Sequence, residues 1–335
     1  MVSCRAGGGG ALQARKVCET MVAMRGIAAK ALWIFGAFWI GGGLLFAQGS
    51  GSTALEPRPA ETPQQGQPRT RAQQLEADLA SAREQIEKSP KSMEPYKLAG
   101  MILDLMGRYP EARANFSRLI DMSKFGAPKA AALRTMALSY AFAGDCKGAE
   151  VQESRAFTML SGEELVYEAA EAATELGRIC LESGDIDRAY KWYRKGYDAG
   201  LSQPGITAER IDLWEFRWEH AQSRIAVRRG KVAEAQKHVT QAKRILRKGT
   251  NPAQAEYLPY LTGYVALYSG DYQTAFSELN KANQDDVFIQ CLMGQTQEKL
   301  GNQQQAAEYY RRVSETLTHT LPSALALHYV QNRLH

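Results

Sequence analysis

The sequence predicts an all-α chain of about six stacked helix–turn–helix units, with a half-unit before them and one further helix at the C-terminus. Three observations carry this. First, a glycine is followed five residues later by an alanine six times over: Gly107/Ala112, Gly144/Ala149, Gly184/Ala189, Gly230/Ala235, Gly270/Ala275 and Gly301/Ala306. Second, another small residue stands seven positions before each glycine: Gly100, Ala137, Gly177, Ser223, Gly263 and Gly294. Third, the segments between them carry an apolar period of three to four, as in Leu98, Ile102 and Leu105, then Phe116, Leu119 and Ile120, while no window alternates as a hairpin strand would.

Each element follows from these small residues. A glycine closes the first helix because it takes the left-handed turn conformation at no steric cost. The alanine early in the next helix, and the small residue upstream in the first, mark where two helices cross too closely for a larger side chain. Before the first full unit, Leu75, Leu79, Ala82 and Ile86 share one helical face, and order is expected from about Ala72.

The pattern resembles the tetratricopeptide repeat, whose period is 34 residues and whose motif runs aromatic-x2-Leu-Gly-x2-Tyr, Ala-x3-Phe, Pro. The first unit has Tyr96, Gly100, Ala112 and Phe116; the second Leu133, Met136, Ala137, Tyr140 and Ala149; the third Leu176, Gly177, Ala189 and Tyr193. The fourth is weak (Ser223, Ala235, Val239), the fifth has Gly263, Ala275 and Leu279, and the sixth Met293, Gly294, Ala306 and Tyr310. The resemblance spans residues 73 to 320 and implies a right-handed superhelical solenoid of about fourteen helices. The alanine-to-alanine spacings are 37, 40, 46, 40 and 31, so the fourth unit is the most extended, and such departures are often where an array binds.

The resemblance also supplies a register. In the family, the first helix of each repeat turns its second, fifth, ninth, twelfth and thirteenth residues toward the concave groove. Carried onto the fourth repeat, that set is Arg217, His220, Arg224, Val227 and Arg228, a basic stripe; on the fifth it is Tyr257, Tyr260, Tyr264, Leu267 and Tyr268, a tyrosine stripe. Tyrosine gives a stiff amphipathic contact and arginine pairs bidentately with carboxylates, which suits an extended peptide with acidic groups or a free C-terminus. Three readings stay open: a recognition groove for protein or peptide, tyrosines packed structurally with arginine cation–π contacts, and a C-terminal helix, Pro322 to Leu334, folded over this surface. Carbohydrate binding, with sugars stacked on the tyrosines, is the alternative from another class.

Chemistry has little to stand on. The histidines (His220, His238, His319, His328, His335) form no zinc pair, and no phosphate-binding glycine loop or nucleophile elbow occurs. Glu163, Glu164, Glu168 and Glu171 fall at helical surface spacing and read as a solvated face. The expectation is a non-catalytic scaffold with no catalytic residue, cofactor or metal. The net charge of +5 sits mostly in residues 1–47, with five basic residues and one acid, while the remainder holds 36 basic and 35 acidic residues. That balance excludes a nucleic-acid footprint.

Residues 1–47 read as a signal peptide or signal anchor. Lys30 precedes the apolar run Ala31–Ala47, which is short for a span and carries Gly41, Gly42 and Gly43. Cleavage after Ala47 is favoured over a retained anchor. Residues 48–72, rich in Pro, Gln and Gly, form a disordered linker, and 73–335 the repeat domain. The setting implied is exported, periplasmic or secreted, or else inner-membrane anchored with the repeats outside the cytoplasm; membrane contact would come only through the N-terminal segment. Cys4, Cys18, Cys146, Cys180 and Cys291 show no metal or redox spacing. Buried free thiols are the ordinary reading of the last three, though Cys146 and Cys180 sit near the same end of adjacent repeats and leave a disulfide open.

Overall fold

The structure, a computed structural model, describes residues 69–334. The apolar run Ala31–Ala47 and the linker as far as residue 68 lie outside the described residues. The described part is all-helical, a repeat solenoid of fourteen α-helices: α1 Arg71–Lys88, α2 Met93–Leu105, α3 Tyr109–Met122, α4 Ala127–Phe142, α5 Cys146–Gly162, α6 Val166–Glu182, α7 Ile186–Leu201, α8 Ala208–Arg228, α9 Val232–Leu246, α10 Leu258–Ser269, α11 Tyr272–Leu279, α12 Val287–Lys299, α13 Gln303–Ser314 and α14 Leu321–Leu334. Helices α2/α3 through α12/α13 are the six predicted pairs, α1 the half-unit and α14 the added helix. Among the described residues none is long and apolar enough to cross a membrane.

The small residues behave as their spacing implies. All six turn glycines have positive φ, from 68° at Gly144 to 89° at Gly184 and Gly270. Three of these turns add a cap that the glycine–alanine spacing did not include: Asp145, Asp185 and Asp271 follow their glycines, and each side chain accepts a main-chain N–H of the next helix, satisfying one of the donors a helix start leaves bare. The six alanines are fully or almost fully buried. A Cβ added at Gly177 would lie 2.8 Å from the Tyr193 ring and one at Gly263 2.6 Å from Leu279, so helix-to-helix distance is set here by a missing side chain.

The fourth repeat departs from regularity as its long interval requires. Helix α8 runs 21 residues, and a short 3-10 helix, Pro252–Tyr257, precedes α10. Cys146, at the start of α5, and Cys180, on α6, are disulfide-bonded with Cα atoms 4.8 Å apart; Cys291 is a buried free thiol. The free-thiol reading thus holds for one of the three, because consecutive repeats bring the first two side by side.

The C-terminal segment does not simply extend the stack. Helix α14 packs against α4 and α6 as well as against α12 and α13. Arg71 donates to the Thr316 carbonyl at 2.9 Å, His319 meets Asp104 at 2.8 Å, and the Tyr109 hydroxyl donates to Gln331 at 2.8 Å. The same terminal segment therefore touches the first repeats and the last.

Candidate functional site: the inner face of the third to fifth repeats

The register carried from the family places its stripes on facing helices, and their side chains meet. Arg224 of α8 donates to the hydroxyls of Tyr260 (3.2 Å) and Tyr193 (2.8 Å). Arg228 donates to the Tyr264 hydroxyl at 3.0 Å and to Glu182 at 3.2 Å. Tyr264 in turn donates to Glu182 at 3.1 Å. One carboxylate on α6, two guanidinium groups on α8 and one phenol on α10 thus tie three successive first helices together. The Tyr264 and Tyr268 rings lie 4.5 Å apart, with Arg228 4.6 Å above the second.

Burial divides the eight predicted groove residues. Tyr264 is fully buried, Tyr260 and His220 nearly so, and Arg224 is 4% exposed. Arg228 and Tyr268 are partly buried. Tyr257, at 46% exposed, stands in the 3-10 helix, and Arg217 is half-buried and paired with Glu171. Stripe and network coincide, so the structural packing and the groove are one arrangement: its deep members hold the helices and its rim, Arg217 and Tyr257, faces solvent. Helix α14 covers the far end, where Tyr268 shares a cavity with Leu325, Tyr329 and Arg333.

The electrostatics follow burial. Burial pushes the Tyr193 phenol up to about 12 and that of Tyr264 well above its usual range, with Glu182 adding to the effect. His220 is held well below the ordinary histidine value, first by burial and then by the charges of Arg224 and Arg178, so its imidazole is neutral near pH 7.

Residues outside the predicted stripes matter as much. Glu171, read as part of a solvated face, pairs with Arg217; Glu175 takes Arg134 of α4, with Nε at 3.1 Å. Arg178 of α6 lies 5.1 Å from the Phe288 ring centre and 5.9 Å from that of Tyr260. The register would have found most of them: counted from Gly177 in the third repeat, the groove set is Glu171, Thr174, Arg178, Leu181 and Glu182. Acids of the third repeat therefore face arginines of the fourth at equal positions, Glu171 to Arg217 and Glu182 to Arg228. Together these helices, with Tyr257 and Leu321, line a cavity of about 400 Å³. Among the described residues no group of three or more His, Cys, Asp or Glu side chains could hold a metal ion.

A family-level sequence comparison agrees with this build in two of its units. The tetratricopeptide repeat family model matches residues 170–199 and 289–315, which are most of α6 and of α7, and most of α12 with α13. No curated protein matches the chain. Among solved structures it is similar to pilF of Pseudomonas aeruginosa, at 13% identity over 72% of this chain and 97% of that one, with a TM-score of 0.36. It is also similar to a Rap protein complexed with competence and sporulation factor, at 14% identity over 78% and 72% with a TM-score of 0.48. A tetratricopeptide repeat protein from Parabacteroides merdae is 15% identical over 76% and 92%, with a TM-score of 0.45. With two units matching the family model and six sharing its glycine turn, buried alanine and paired helices, the chain is a tetratricopeptide repeat protein.

Proposed function

We propose that the chain is a non-catalytic scaffold that binds a protein or peptide partner on the inner face of its repeats, engaging an acidic group or a free C-terminus. The observation that carries this is the rim formed by Arg217 and Tyr257 above the cavity between α6, α8 and α10. An exposed aromatic beside a guanidinium on a rigid, internally hydrogen-bonded base is what low-entropy peptide recognition needs. The deep network adds rigidity rather than contact area. The setting is exported or envelope-associated. In support, the Cys146–Cys180 bond belongs to an oxidising compartment, and the Ala31–Ala47 run follows basic residues in the order of a secretory signal.

The test is capture of a peptide pool by the full chain. Capture is expected to fall with added salt and with Arg217→Ala, and soluble cell-wall glycans should not compete. Glycan binding indifferent to salt and to Arg217→Ala would overturn the reading in favour of carbohydrate, although of the four tyrosines only Tyr257 presents an exposed face.

A further inference from the structure

The near balance of charge after residue 47 hides an uneven distribution. Residues 231–248, which are α9 and its two ends, hold six basic residues and one acid, so the rest of 48–335 holds 30 basic and 34 acidic residues. Helix α9 buries Ala235, Val239, Ala242 and Ile245 and packs against α8 and α10. Its opposite, open face presents Lys237, Thr240, Gln241, Arg244 and Arg247, all exposed and with no acid among them. Lys231 pairs with Glu234 at 3.3 Å, and Lys248 pairs with Asp212 and Glu215. Lys237, Arg244 and Arg247 make no ion pair or hydrogen bond with any described residue. The helix dipole favours cations in the last turn, at Arg244 and Arg247, but does not account for Lys237, which stands more than two turns before the helix end.

An aromatic cluster borders this basic face. Trp218 of α8 stacks on Tyr197 of α7 with ring centres 5.1 Å apart, and lies 5.9 Å from Tyr190, which is 36% exposed. The Arg194 guanidinium sits 5.6 Å from the Tyr197 ring centre and 5.5 Å from that of Trp218. On either side of Trp218 along α8, Glu215 takes Lys248 at 3.5 Å and Glu219 meets His238 of α9 at 2.6 Å. The ring faces are taken by one another and by Arg194. They offer amphipathic edges but no free face for a nucleic-acid base. Tyrosine and tryptophan beside unpaired lysine and arginine is the composition of a surface that rests at a bilayer interface.

We propose that the open face of α9, bordered by Tyr197 and Trp218, docks on an anionic lipid surface, with Lys237, Arg244 and Arg247 against the head groups. The sequence places membrane contact in the N-terminal segment only; the open face of α9 adds a second contact. It is separate from the inner face, since no residue of α9 lines the cavity between α6, α8 and α10. The chain meets a bilayer on either reading of the apolar run Ala31–Ala47, as a secretory signal or as an anchor. The contact is peripheral and electrostatic, because no described helix is long and apolar enough to cross a membrane.

Co-sedimentation of the full chain with vesicles tests it, using phosphatidylcholine alone and phosphatidylcholine with about one-third phosphatidylglycerol. The parent should favour the anionic vesicles. Lys237→Gln, Arg244→Gln and Arg247→Gln together should weaken that binding by about 100-fold, at about five-fold for each cation near the surface. Binding to phosphatidylcholine alone should not change. The charge-conserving set Lys237→Arg, Arg244→Lys and Arg247→Lys should bind as the parent does. A control set, Lys88→Gln, Arg311→Gln and Arg312→Gln, removes the same charge from exposed pairs elsewhere and should weaken binding by less than about three-fold. The N-terminal segment is common to all, so the differences read the repeats. Glutamine is close to lysine and arginine in helix propensity, so every variant should melt with the parent, which separates lost binding from lost folding. Raising salt from about 0.05 to about 0.5 M should remove the part that depends on α9. Equal loss in the glutamine and control sets overturns the proposal, as does tighter binding of a short DNA duplex or of polyglutamate than of anionic vesicles. Peptide capture on the inner face should be the same in the parent and the α9 variant, so either reading can fail without the other.

Discussion

His319 and Asp104, 215 positions apart in the chain, meet at 2.8 Å with side chains 3% and 0% exposed. The Asp104 carboxylate also accepts the Ser139 hydroxyl at 2.6 Å, and the His319 ring stacks on Phe142 at 4.8 Å. Burial raises the Asp104 carboxyl above its usual value, with His319 and Ser139 pulling the other way. This pair fastens the segment before α14 to the first two repeats. His319→Ala should cost about 1–3 kcal/mol, the range for leaving a buried polar partner unsatisfied. The loss should be local as well as global. Hydrogen exchange over residues 316–330 should accelerate more than over α6–α9, and equal acceleration everywhere would argue against a fastening role.

The Cys146–Cys180 bond joins positions 34 apart across consecutive repeats. In the chain-entropy treatment a loop of that size contributes about 3–4 kcal/mol by restricting the unfolded ensemble. Cys146→Ser combined with Cys180→Ser should lower stability to denaturant by roughly that amount, and reduction of the parent should match it. Because neighbouring repeats carry one another's stability, α4–α7 should lose exchange protection first. A midpoint unmoved by reductant would exclude a structural bond.

Tyr193 connects packing to the site. Its ring covers Gly177, and its hydroxyl accepts from Arg224 at 2.8 Å. Gly177→Ala ordinarily gains about 1 kcal/mol in helix propensity. Here the added methyl meets the ring at 2.8 Å, and overpacking typically costs about 1–3 kcal/mol. The net expectation is destabilisation by up to about 2 kcal/mol. The displaced Tyr193 should also loosen Arg224, visible as changed side-chain resonances for Tyr260. A neutral or stabilised Gly177→Ala would show that the helices can separate without penalty.

The small residues made the fold legible because each one answers to backbone geometry alone. Gly107 and its five counterparts need a positive φ, and Ala112 and its counterparts need a close crossing, whatever surrounds them. The inner face was only half legible for the opposite reason. The register places Arg224 and Tyr260 on the groove side, but whether a groove-side residue is a contact surface or a strut depends on what the neighbouring repeat presents. Glu182 and Glu171 decide that, and they became visible only when the third repeat was set beside the fourth. The path of the last helix was less legible still. Pro322 can start a helix, but nothing local encodes that the preceding His319 docks on an aspartate more than 200 residues away.

Glu153 offers the clearest pH dependence. It lies on α5, 1% exposed, and neither carboxylate oxygen has a hydrogen-bond partner. Burial, with Glu175 nearby adding to it and Arg134 opposing, holds its carboxyl well above the usual value. A folded-state value above the unfolded one means the native state binds the proton more tightly. The penalty is therefore absent below the unfolded value of about 4.3 and grows as pH rises toward the folded one. Glu153→Leu removes that penalty and fills the space with apolar atoms. It should raise stability at pH 7.5 by at least about 1 kcal/mol, or about 2–4 °C in Tm for a domain of this size. The advantage should shrink progressively as pH falls toward 4.5. Thermal melts of parent and variant across that range decide the matter: a pH-independent gain would trace to packing alone, and a variant less stable at pH 7.5 would mean that the buried carboxyl serves Arg134 more than it costs.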